Sequence, residues 1–157
     1  MSRDITKFSK PEIAIAFQHA CKEARHEVIF TSVDRDYKEQ YAYYCQGREP
    51  LSTVNKFRQF AGLPPIGQKE NQRKVTWTLN SKHVVNLEDE RLDNDRSLAF
   101  DFAIVYENKV YWDLKADVDK DNISDYLECA MIGESFGLRS GRTFKNPDYP
   151  HLEIKGD

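Results

Sequence analysis

Apolar residues at Ile13, Ala16, Phe17, Ala20, Cys21 and Ala24 recur every three or four positions, which predicts a helix with one buried face. Just before it, Ser9-Lys10-Pro11-Glu12 has the form of a capping box with proline at the first helical position. The pattern then changes period. Val28 to Val33 is a β-branched and aromatic run and predicts a strand, followed by Asp34 as a helix cap. Tyr37, Tyr41 and Tyr44 return to helical spacing up to Gly47, which predicts a helix with its tyrosines in the core. A further helix begins at Leu51-Ser52-Thr53, buries Val54, Phe57 and Phe60 or Ala61, and stops at Gly62 with Pro64 and Pro65.

Beyond a polar loop at 67–74, Val75 to Leu79 alternates around Trp77 and predicts a sheet strand. Leu98 to Tyr106 and Lys109 to Trp112 flank Glu107-Asn108, a hairpin signature. Ile123, Tyr126, Leu127, Ala130 and Met131 mark the buried face of a last helix, and His151 to Ile154 a last strand. The sum is an α+β domain, with helices packed on a mainly antiparallel sheet.

Length and composition narrow this picture. A chain of 157 residues is the size of one domain with one core, so residues 1–157 are read as a single unit. The hydrophobic fraction of 39%, with nine Phe and eight Tyr, excludes disorder, and no apolar run is long enough to span a membrane. A formal charge of -3 without a polybasic block gives no electrostatic handle for nucleic acid or an anionic membrane. Cys21, Cys45 and Cys129 lack metal-finger spacing and read as buried thiols of a reducing compartment. Met1-Ser2-Arg3-Asp4 opens no secretory signal, so the expected location is the cytoplasm, and the expected state a monomer.

The candidate chemistry lies late in the chain. His83 follows the expected strand at Val75 to Leu79, Asp101 begins the next, and His151 closes Pro147-Asp148-Tyr149-Pro150-His151. Two imidazoles and a carboxylate are a sensible ligand set for one catalytic zinc ion, which keeps a fourth position for water. Prolines 147 and 150 make the last segment a rigid turn that can aim Asp148 and His151 at one ion. Asp148 is the candidate general base. A second metal signal lies at Asp117, Asp119, Asp121, Asp125 and Glu128, which fall at calcium-loop positions, with Asn122 where glycine is usual. A strand-like approach argues instead for an acidic loop leading into a helix. His19 and His26 read as surface or packing residues.

At Ser81-Lys82-His83, Ala99-Phe100-Asp101 and Asp148-Tyr149-Pro150-His151 the sequence resembles a known family. This family groups zinc D-alanyl-D-alanine carboxypeptidases with phage L-alanyl-D-glutamate endopeptidases, on the hedgehog/DD-peptidase fold. The resemblance runs from about Ser32 to Ile154. It implies zinc on His83, Asp101 and His151, and Asp148 as base. Arg35 and Gln40 look like the family's arginine and glutamine, which bind substrate or steady the oxyanion, with Ser81 orienting His83 or touching substrate.

The implied substrate is a peptidoglycan stem peptide cut between L-Ala and D-Glu, by a phage-lysin-like enzyme that stays cytoplasmic until released. Removal of terminal D-Ala is the alternative within the family, and a non-catalytic zinc module that binds cell wall is the alternative outside it. This sequence departs from the family in two places. Seventeen residues separate His83 from Asp101, the surplus at 86–97 reading as a charged solvent loop. The family's Trp-Gly-Gly is replaced by Ser140-Gly141-Arg142, which removes an aromatic from the groove wall.

Overall fold

Alternation along one strand sorts the molecule into a core side and a cleft side. In β2 (Ala99–Tyr106), Phe100, Phe102 and Ile104 are fully buried, while Asp101 between them points to the opposite face. The computed structural model describes residues 2–85 and 96–156. Ahead of β2 come α1 (Pro11–Glu23), β1 (Glu27–Ser32), α2 (Tyr37–Cys45) and α3 (Leu51–Phe60). After it come β3 (Lys109–Tyr111), α4 (Asp125–Ser135), β4 (Leu138–Gly141) and β5 (Asp148–Ile154). Every pairing among these strands is antiparallel, in the order β1-β2-β5-β4 with β3 also on β2, as the α+β reading expects.

The core lies between the sheet and helices α1 and α4. Phe8 and Phe17 meet Phe100 at ring-centroid distances of 5.0 and 5.8 Å, and Phe102 stacks on Tyr126 at 5.8 Å. Leu152 of β5 and Cys21 and Cys129 of the helices fill the remainder. Helices α2 and α3 pack on each other beside the sheet. The hairpin formed as expected, with Glu107 and Asn108 both at positive φ, 51° and 63°, the geometry of a two-residue primed turn.

Several local expectations fail for identifiable reasons. Val75 to Leu79 is not a strand: it is irregular, and the carbonyls of Thr76 and Thr78 accept hydrogen bonds from Arg48 and Gln40 instead of from a neighbouring strand. The apolar face expected to pack on the helices is turned outward: Val75 and Trp77 are exposed, as is Thr78, and Thr76 is buried. Asp34 does not cap α2. Arg35 is held extended by a bridge to Val84, so the helix starts later and Asp36 forms the capping box with Glu39.

Ser9 likewise does not cap α1, because its N–H pairs with the carbonyl of Ser97, leaving Lys10 at the cap. Tyr37 and Tyr41 are exposed, since α2 turns Glu39, Gln40, Ala42 and Cys45 inward. The short strand β4 had no pattern to announce it. Most of the expected solvent loop, 86–95, lies outside the described residues, but its last residue, Ser97, is buried and paired with the N-terminal segment.

Candidate metal centre and active site

Strand register brings the first two residues together. Asp101 of β2 and His151 of β5 are direct cross-strand partners, and pairing between these strands stops there. From Ile104 onward β3 occupies the same edge of β2, so the site sits where β5 parts from β2. Because Leu152 is in the core, period-two alternation puts His151 and Glu153 on Asp101's face. His83 arrives from a tight turn, which the bridge between Arg35 and Val84 fastens beside the end of β1.

His83 Nε2, His151 Nδ1 and Asp101 Oδ1 form a triangle with all three sides 3.2 Å. Ligand atoms on a tetrahedral zinc ion, at bond lengths of roughly 2.0–2.1 Å, would lie about 3.3 Å apart. The protonation pattern fits equally well. His83 Nδ1 is 2.7 Å from the carbonyl oxygen of Val33, which can only accept, so Nδ1 carries the proton and Nε2 the lone pair. His151 Nε2 donates to Glu153 Oε1 at 2.9 Å, leaving the lone pair on Nδ1.

Three electron-pair donors therefore meet with no proton of their own between them. That arrangement is repulsive unless a positive centre joins it, so the residues fit a divalent ion. In its absence a proton can serve. Burial opposes a charged His151, but hydrogen bonds to Asp101 and Glu153 and the charges of Asp101 and Asp148 raise it to about 9. Burial also opposes an ionised Asp101, yet His83 and His151 hold its carboxyl well below the usual carboxylate range.

Around this triangle lies a cleft of about 840 Å³, lined by Arg35, Ser81 and Asp148 and walled by Trp77, Trp112 and Phe144. Trp77 and Trp112 are more than half exposed. They supply aromatic surface despite the replaced tryptophan near Ser140. Asp148 is itself exposed at the cleft; burial of its carboxyl and the charge of Asp101 push it above the ordinary carboxylate value, and water screens both effects. Asp148 to Pro150 are not the rigid turn expected from the prolines but the irregularly paired start of β5. Gly141 is what lets β4 approach it, for a Cβ there would overlap the carbonyl oxygen of Asp148 and lie 3.0 Å from the Cβ of His151.

Arg35 reaches Asp101 Oδ2 at 3.4 Å and donates to Ser32 Oγ and to Gln40 Oε1. Gln40 is fully buried, outside the cleft wall, and gives its amide hydrogens to Thr76 Oγ1 and the carbonyl of Thr78. It therefore holds Arg35 and does not face the cleft. Ser81 Oγ accepts the backbone N–H of His83 at 3.2 Å. Sequence reasoning missed Glu153 and Lys82, which lie behind His151; an acidic residue two positions after a candidate ligand was the available signal.

At the acidic loop, carboxylate oxygens of Asp117, Asp119 and Asp121 lie within 4.8 Å of one another, and Asn122 has the positive φ of 69° expected at its position. Asp125 and Glu128 gather instead with Asp119 and His26 in a second group whose ligand atoms also lie within 4.8 Å of one another. Asp125 accepts from the Tyr111 hydroxyl and Val118 N–H, and Glu128 pairs at 2.8 Å with His26, which is buried.

Comparison with known proteins gives these geometries a context. No family model matches the sequence. The chain is similar to a peptidoglycan peptidase. It is 27% identical over 143 residues to the peptidoglycan L-alanyl-D-glutamate endopeptidase CwlK of Bacillus subtilis, a stretch that takes in 90% of this chain and 68% of that protein.

Proposed function

We infer that the protein is a zinc-dependent peptidase acting on peptidoglycan stem peptides, cutting between L-Ala and D-Glu. One observation carries the reading: three metal-ligating donor atoms converge at 3.2 Å in a cleft that also holds the Asp148 carboxyl and the Arg35 guanidinium. Similarity to CwlK supports the substrate and the bond. His83, Asp101 and His151 would hold the ion. Zinc in such a site supplies Lewis-acid polarisation of a carbonyl and lowers the pKa of water to about 7.

The chain's own residues do the rest. Asp148, with its raised pKa, takes a proton from the attacking water and returns it to the leaving amine. Arg35 stabilises the carbonyl oxygen as it gains charge or binds a substrate carboxylate, and Gln40 and Ser32 fix its direction. The exposed faces of Trp77 and Trp112 give the stem peptide apolar surface to lie on.

Mass spectrometry of peptidoglycan digested by the zinc-loaded protein tests this. Fragments beginning at D-Glu are expected. Free D-Ala would move the protein to carboxypeptidase chemistry, and no product across several wall chemotypes would leave the cleft a binding site.

A further inference from the structure

Behind the imidazole of His151, on the side away from the three donors, Glu153 is only 5% exposed and has both oxygens committed. Oε1 accepts the Nε2–H of His151 at 2.9 Å, and Oε2 lies 2.9 Å from Lys82 Nζ. Lys82 is the residue before His83. Its ammonium also donates to the carbonyl of Ile154 at 2.6 Å, and its own carbonyl accepts the N–H of Leu98 at 2.9 Å. An unbroken line of contacts thus joins the turn carrying His83 to the strand carrying His151, although the two histidines are 68 residues apart in sequence.

Resting on the metal reading above, we propose that Glu153 and Lys82 are positioning residues that set the two imidazoles for the ion before it binds. A neutral His151 divides between two tautomers, and the form with its proton on Nδ1, the nitrogen that faces the other donors, offers the ion nothing. The carboxylate of Glu153 selects the Nε2–H form of His151, fixes the ring plane and makes Nδ1 a stronger donor. A carboxylate this buried is costly without a cation, and Lys82 supplies one. Because Lys82 is anchored in the His83 turn, it also ties the place of His151 to that of His83. A purely structural ion pair would need no imidazole at its far end; here the imidazole takes one of the two oxygens.

The test is competition for zinc between the full chain and a chromophoric chelator, for the unaltered protein and for Glu153→Ala, Glu153→Gln and Lys82→Met. Long-range 1H–15N NMR of the zinc-loaded proteins would read the Nε2 proton of His151. Loss of such a partner weakens metal binding by roughly 10- to 100-fold, which is the expectation for Glu153→Ala. Glu153→Gln keeps the size and an accepting oxygen but loses the charge, so a smaller loss is expected. Lys82→Met should change affinity in the same direction. The Nε2 proton should exchange slowly in the unaltered protein and quickly in Glu153→Ala.

If Glu153→Ala does not fold in chelator-treated thermal unfolding, Glu153→Gln alone decides. Zinc affinities of the folded Glu153 variants within twofold of the unaltered protein would overturn the proposal and leave the metal reading intact. Failure of the unaltered protein to bind zinc would overturn that reading instead.

Discussion

Asp148 and His151 stand three residues apart, and their environments differ as the roles proposed for them require. His151 is buried, with Nε2 donating to Glu153 and Nδ1 turned to the other two donors, as the proposed ligand role requires, whereas Asp148 is exposed to the cleft and has the raised pKa that the proposed base role uses. Replacing Asp148 with Ala should lower turnover by about 10²- to 10⁴-fold while zinc stays bound, measured by digestion kinetics beside metal analysis. His151→Ala should lose zinc and turnover together. Retained zinc in the second variant, or lost zinc in the first, would exchange the two assignments. The residues themselves were legible in sequence because donor types are chemically few. That Gln40 is buried behind Arg35 was not legible, since nothing in one dimension says which way a helix turns its polar side chains.

At the scale of elements, the two strands that carry Asp101 and His151 were expected and are present, because their apolar residues alternate against a core. The run at Val75 to Leu79 alternates as well, yet side chains of Arg48 and Gln40 take its backbone bonds and no sheet neighbour reaches it. Here Val75 and Trp77 face outward, so alternation alone does not make a strand or bury its apolar face. The strand β4 is four residues long and gives no such signal. Its approach to Asp148 at the start of β5 depends on Gly141, where a methyl group has no room. Gly141→Ala should therefore cost about 1–3 kcal/mol in denaturant unfolding and depress turnover by shifting Asp148 and His151. A variant with unchanged stability and activity would mean the start of β5 yields without consequence.

For the whole molecule, metal and protons compete for one place. In the metal-free protein His151 is raised to about 9, so its stabilising contribution is complete below the ordinary value near 6.5 and disappears as pH rises through 9. Thermal unfolding in chelator should show stability falling across that window. Zinc needs the same nitrogen unprotonated, so the gap between zinc-loaded and chelated melting temperatures should widen over the same range. At a hundredfold excess of zinc over its Kd the added stability would be about 2.7 kcal/mol. A gap that stays constant with pH would mean that no proton leaves His151 on binding.

By itself the sequence determined the α+β class, the hairpin and the donor set, since periodicity and side-chain chemistry are local properties. Only the tertiary structure decided that Asp101 and His151 are register partners, that Lys82 and Glu153 stand behind them, and that the donors meet with their lone pairs inward. Strand register and tautomer depend on which distant backbone and side-chain groups supply the hydrogen bonds.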